Sequence, residues 1–363
     1  MREAALVLAA AAALALATWL HYLFWSWRFR LPSGEDELVR AETGDGWRLA
    51  LARRRPRAAP RATPVLLCHG LAANRGAMDF GLVRWSLSAF LAAAGFDCFA
   101  LDLRGHGDSR PARPGAARDW SFDTYLREDV PAALDAVRRV TGAERVLWVG
   151  HSQGALLGLA ACARYPERLA GVVALAGPTH FGAQRRLLAV ERLALRLLAR
   201  TDRVLARCLA PFSGFWHPPI SEVAINGRNV SRPVFRRILA NVVEDMPRGV
   251  LRQFRDWTDH DRFAAADGSA DYRALLARCR QPALFVAARA DKLAPPAVVR
   301  AGLALWGGEK GYLEIGVAGG HACDYGHSDL LFGMHAPEEV FRPVRDWLVA
   351  HDAGAGAARE ALP

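Results

Sequence analysis

The chain has 363 residues, 52% hydrophobic and 23% charged, a balance that excludes wholesale disorder. Its formal net charge is +10, yet only Lys292 and Lys310 are lysines, and 45 of the 47 basic residues are arginines scattered along the chain. The densest run, Arg53-Arg54-Arg55-Pro56-Arg57, lacks interleaved aromatics. It reads as a solvated loop, with anionic lipid headgroups as the other reading, and no nucleic-acid partner is expected.

The N-terminus opens with a 22-residue stretch without a charged residue, Ala4 to Trp25. As a helix it spans about 33 Å at roughly 1.5 Å per residue, enough for a bilayer core. Trp19, Tyr22, Trp25 and Trp27 gather at its end, followed by Arg28 and Arg30, like an interfacial belt. A cleaved signal peptide is the competing reading, with Ala15-Leu16-Ala17 as the cleavage site. Cleavage there leaves the apolar run Trp19 to Trp25 at the new terminus, with no use in solution. Residues 1–30 are therefore read as a single-pass transmembrane anchor. Arg28 and Arg30 against Arg2 tilt the count towards a cytoplasmic body, although the side of the membrane stays open. Six cysteines without a C-x-x-C pair fit a reducing compartment better than a disulfide scaffold.

Alternating strand and helix patterns begin near Glu37. Leu38 to Thr43 and Trp47 to Arg53 pair around Gly44-Asp45-Gly46. Pro64 to Cys68, Phe96 to Leu101, Arg145 to Val149 and Leu169 to Leu175 are apolar runs of the buried parallel type. Helical patterns over Asp79 to Ala94, Phe122 to Val140 and Gln153 to Tyr165 separate them. The expected fold is α/β: a mostly parallel sheet flanked by helices, first part 37–177. An Arg-rich helical stretch, 178–281, follows the sixth strand and reads as a cap. It carries a Leu187, Leu188, Leu193, Leu197, Leu198 stripe and a Gly/Pro-rich break from Pro211 to Pro219. The sheet resumes over 282–351 with strands Ala283 to Ala288 and Tyr312 to Gly316 and a last helix, Ala336 to His351. The tail, 352–363, is Ala/Gly-rich and expected to be flexible.

The chemistry centres on Gly150-His151-Ser152-Gln153-Gly154, a G-x-S-x-G at a strand-to-helix junction. Such a turn lifts a serine hydroxyl clear of the sheet, and its glycines admit close backbones. Asp291 lies on a loop just past the strand Ala283 to Ala288 and is the carboxylate candidate. Two histidines follow the next strand. His321 sits in Gly319-Gly320-His321, and His327 leads through Ser328-Asp329 into Leu330-Leu331-Phe332-Gly333 and the last helix. Both histidines are candidate bases. The spacing of His321, Asp324, His327 and Asp329 fits no metal motif, and Asp329 is expected to position the loop.

On these motifs, with Cys68-His69-Gly70-Leu71 after the third strand and Asp102-Leu103-Arg104-Gly105-His106-Gly107-Asp108-Ser109 after the next, the chain resembles the α/β-hydrolase superfamily. The segment Tyr325 to Gly333 is similar to that of its acid-lipase-like branch. The resemblance covers about residues 37–350. It implies the α/β-hydrolase fold and a triad of Ser152 nucleophile, Asp291 acid and His327 base. It also implies an oxyanion hole from the backbone N–H groups of Leu71 and Gln153. The expected activity is hydrolysis of carboxylic esters with apolar acyl groups, lipid-like or small, through an acyl-enzyme. Acyl transfer, thioester cleavage or perhydrolysis by the same triad is the alternative, and a non-catalytic binding protein a third reading. No cofactor and no metal is expected, since no phosphate-binding or dinucleotide-binding glycine motif is present.

Overall fold

A computed structural model of the chain describes residues 2–116, 119–182, 203–215 and 223–353. The leucine stripe 187–198, His217 and most of the tail lie outside the described residues.

Among the described residues nine strands form one sheet: β1 (Glu37–Glu42), β2 (Trp47–Arg54), β3 (Val65–Cys68), β4 (Cys98–Asp102), β5 (Arg110–Pro111), β6 (Val146–His151), β7 (Leu169–Leu175), β8 (Ala283–Ala288) and β9 (Lys310–Ile315). Their order is β1-β2-β4-β3-β6-β7-β8-β9, with β5 on the side of β2. β1 and β2 pair antiparallel, β2 runs antiparallel to β4, and every pair from β4 across to β9 is parallel. The apolar runs explain this layering. Every residue of β3, β4, β6 and β8 is buried, as strands covered by helices on both faces must be. This is the α/β-hydrolase fold. Two-residue β5 has no hydrophobic pattern of its own and was not expected.

Helices α1 (Arg2–Arg28), α2 (Leu87–Ala93), α3 (Val130–Thr141) and α4 (Gln153–Arg164) precede β7. Between β7 and β8 the described residues include α5 (Arg203–Leu209), α6 (Arg232–Asn241) and α7 (Arg248–His260). α8 (Pro296–Leu305) and α9 (Arg342–Ala350) follow β8 and β9, and shorter helical turns lie among the described residues as well. Two expected helices differ in detail. The stretch from Asp79 to Ala94, preceded by the short turn Arg75–Ala77, passes through a second at Val83–Trp85 and becomes α-helical only at Leu87, where the Ser86 hydroxyl caps Ala89 N–H. The helix from Phe122 widens into a π-turn over Tyr125–Asp129 before α3. There the buried Asp129 accepts from Arg104 Nε at 2.7 Å and from its backbone N–H at 2.8 Å. Burial pushes the Asp129 carboxyl up to about 6 despite the guanidinium.

α1 has no buried residue and is long and apolar enough to cross a membrane, a test that signal sequences also pass.

A close backbone approach lies where β6 turns into α4. A Cβ on Gly150 would stand 2.2 Å from the Gly154 carbonyl oxygen, and one on Gly154 would stand 2.2 Å from that of Cys68. Gly154→Ala is therefore expected to destabilise the fold by about 1–3 kcal/mol, although alanine is the better helix former. Thermal unfolding of the full chain checks this; an unchanged or raised midpoint contradicts it.

Candidate active site

Ser152 stands between β6 and α4 with φ 53° and ψ −116°. A serine held there is strained by about 1–3 kcal/mol and stays only because its surroundings fix it. Ser152 N–H donates to Leu175 O at 2.8 Å, and Leu156 N–H donates to Ser152 O at 3.1 Å. The flanking glycines complete the clamp, since neither position admits a side chain. Gln153 is the first residue of α4, so its N–H belongs to the first helical turn, which has no partner within the helix.

Opposite the serine runs the turn after β3. A Cβ on Gly70 would lie 3.2 Å from Ser152 Cβ, which puts the Gly70–Leu71 peptide beside the serine. Ala72 follows with φ 57°, a second strained non-glycine residue. Its carbonyl accepts from Glu244 N–H at 3.0 Å, and Ala73 bridges Val243. Asn74 fastens the same seam, donating from Nδ2 to Asn241 O at 2.8 Å and to Glu244 Oε1 at 2.9 Å. His69 ties this turn to the loop after β4. A carbonyl can only accept, so Nδ1–H donates to Gly70 O at 2.8 Å, and bare Nε2 accepts Leu103 N–H at 3.2 Å. Asp102, buried at the end of β4, accepts from Arg75 N–H at 2.7 Å and Asp108 N–H at 2.8 Å, and pairs with the Arg75 guanidinium. None of these long-range partners for Asn74 and Asp102 was legible in the sequence.

His327 and Asp291 meet. His327 Nδ1 lies 2.7 Å from Asp291 Oδ2, with both side chains buried. Asp291 Oδ1 accepts from Leu293 N–H at 2.7 Å and Ala294 N–H at 2.8 Å, so the loop backbone holds the carboxylate. The carboxylate accepts, which leaves Nδ1 as donor and Nε2 as the free basic nitrogen. His151, next to Ser152, donates from Nε2 to His327 O at 3.0 Å, and the two rings lie 4.8 Å apart. His321 is turned elsewhere: its Nδ1 lies 3.0 Å from Gly316 O. Asp329 accepts from Gly326 N–H at 2.8 Å, Asn226 N–H at 3.1 Å and Asn229 Nδ2 at 2.7 Å. It thereby bonds the histidine loop to the segment between β7 and β8. Among the described residues no group of His, Cys, Asp or Glu is arranged to hold a metal ion.

Burial lowers His69 and His151 to about 3, so both are neutral. Between about 6.5 and about 3 the unfolded chain takes protons that the folded histidines refuse, so acidification through that window costs stability. Each contributes up to about 1.4 kcal/mol per pH unit. Asp129 runs the other way below about 6, because folding favours its protonated form. His151→Gln, which keeps a donor for His327 O, is expected to lose less stability than wild type between about pH 7 and about pH 4.5. Denaturant midpoints across that range check this; parallel slopes contradict it.

A profile of the alpha/beta hydrolase fold family matches residues 63–322. Human lysosomal acid lipase/cholesteryl ester hydrolase is 36% identical over 151 residues, 39% of this chain and 37% of that protein. Mouse gastric triacylglycerol lipase is 32% identical over 145 residues, 37% of this chain and 36% of that protein. The chain thus matches little more than a third of the length of these curated relatives. Among solved structures, a thermophilic esterase from Thermogutta terrifontis superposes with a TM-score of 0.58 at 19% identity, covering 87% of this chain and 100% of its own. A monoacylglycerol lipase from Paleococcus ferrophilus gives 0.55 at 21% identity, covering 83% and 99%. A membrane phospholipase A described as a bacterial virulence factor gives 0.56 at 16% identity, covering 96% and 97%. These structures agree in fold, and the family profile spans most of the chain: it belongs to the alpha/beta hydrolase fold family.

Proposed function

We propose that the chain is a membrane-anchored serine hydrolase that cleaves carboxylic esters with apolar, lipid-like acyl groups. The observation that carries this is the 2.7 Å pairing of His327 Nδ1 with Asp291, beside a serine held at φ 53°. The named lipase and esterase relatives support ester hydrolysis, and α1 supports a membrane site of action.

The mechanism follows from donor and acceptor roles. His327 Nε2 takes the Ser152 hydroxyl proton as Oγ bonds to the ester carbonyl carbon. The carbonyl oxygen becomes an oxyanion and accepts from the N–H groups of Leu71 and Gln153; one such donor is worth about 2.7–4 kcal/mol. Collapse breaks the bond to the alcohol, which leaves with the proton held on His327. Water then attacks the acyl-serine, gives its proton to His327, and the acid departs as Ser152 recovers its proton. Asp291, bonded to Nδ1, stabilises the imidazolium. Residues 1–30 act as the anchor, 37–177 and 282–351 as the catalytic body, and 178–281 as a cap over the acyl group.

The test is turnover of p-nitrophenyl esters of increasing chain length by the full chain in detergent. Ser152→Ala and His327→Ala are expected to lower kcat by about a thousandfold or more. His321→Ala is expected to stay within about tenfold of wild type, since it removes no member of the triad. The optimum is expected at medium or long acyl chains. Full turnover in Ser152→Ala, or loss confined to His321→Ala, overturns the assignment.

A further inference from the structure

The C-terminal third of α1 is bound to the body along one face. Tyr22 Oη accepts from Arg207 Nη1 at 2.9 Å, and His21 Nε2 donates to Cys208 O at 3.0 Å. The His21 ring stacks on Phe212 with centroids 5.7 Å apart. Phe29, just beyond the helix, is buried against Ala210 and Ala240. Asn241, the last residue of α6, closes the junction. Its Oδ1 accepts Leu31 N–H at 3.1 Å, and its Nδ2 donates to Phe29 O at 3.0 Å. The opposite face of α1 carries exposed Trp19, Phe24 and Trp27.

This junction fixes what lies level with the end of the helix. If α1 spans a bilayer with its aromatic belt at the interface, the partners of its last turns lie at headgroup depth. Those partners sit beside an apolar corner: Phe212 is 68% exposed, Phe215 is 65% exposed and Leu209 is 48% exposed. Large aromatics this exposed are costly in water and suited to the headgroup–acyl boundary. Arginines frame them. The Arg232 guanidinium lies 3.2 Å from the Phe215 ring centroid and that of Arg236 4.8 Å, while Arg236 also donates to Pro211 O at 2.6 Å. Cations beside aromatic rings match phospholipid phosphates above acyl chains. The same helix end reaches the serine site, because Asn241 O accepts from Asn74, whose turn begins at Leu71.

We propose that the corner formed by Leu209, Phe212 and Phe215, with Arg232 and Arg236, is a second contact with the phospholipid surface, holding the Leu71–Asn74 side of the serine site close to the leaflet that supplies the ester. The proposal rests on α1 being a retained anchor. It differs from anchoring alone, since a tethered body need not touch the surface.

The test uses the full chain in vesicles of phosphatidylcholine and phosphatidylglycerol. An environment-sensitive fluorophore is attached at Phe212→Cys or Phe215→Cys, with Glu144→Cys as control, in a Cys208→Ser, Cys323→Ser background that leaves the four buried thiols. Quenching by lipids spin-labelled near the headgroup is expected at 212 and 215 and not at 144. The double variant Phe212→Asp, Phe215→Asp is expected to lower turnover of a vesicle-borne ester, relative to a soluble short-chain ester, by about tenfold. Alkaline carbonate extraction separates the failures. A chain that resists extraction but shows 212 and 215 as unquenched as 144 overturns the docking and leaves the anchor. A chain released by carbonate overturns both.

Discussion

The structure depends on one close approach, that of the β6–α4 turn to the end of β3. Gly150 and Gly154 let backbones meet at distances that no side chain permits, and Ser152 between them stands at φ 53°. The strain is held by parallel pairing on both sides of β6, with β3 and with β7, whose residues are fully buried. Because the serine is pinned, the turn carrying Gly70 and Leu71 has a fixed place across from it, and a rigid pair of backbone donors becomes possible. A looser junction would bury just as much apolar area and leave the hydroxyl without a defined position.

Around this point the polar side chains work mainly on backbone. His69 joins the turn after β3 to the loop after β4, Asp102 gathers that loop, and His151 holds the carbonyl of His327. Asp329 and Asn229 bond the histidine loop to the segment between β7 and β8. Each is buried, and each would cost stability if its partner were lost. His151, Asp329 and Asn229 hold the loop that carries His327, whereas Asp291 bonds its ring.

The sheet was legible because burial on both faces writes near-continuous apolar runs, as in β3 and β6. The serine turn was legible because its glycines are a steric requirement at fixed spacing. Other features depend on partners far along the chain and leave no local pattern. Asn74 meets Asn241 across 167 residues, and Asn229 meets Asp329 across 100. The sequence offers no reason for Ala72 to adopt φ 57°. His321 and His327 were separable only by context; in the structure Asp291 bonds His327, and His321 bonds its own loop at Gly316. Before α2, the Asn74 side chain caps the first short turn, and Asp79 accepts from Ser86 and Ser88 and pairs with Arg54, contacts that local helical periodicity does not encode.

The central claim is that Ser152 is a nucleophile made reactive by His327. Fluorophosphonate labelling of the full chain, followed by peptide mass mapping, tests it most directly. The account predicts one adduct, on the peptide containing Ser152, absent in Ser152→Ala and formed far more slowly in His327→Ala. An adduct on another serine, or undiminished labelling of Ser152→Ala, would contradict it.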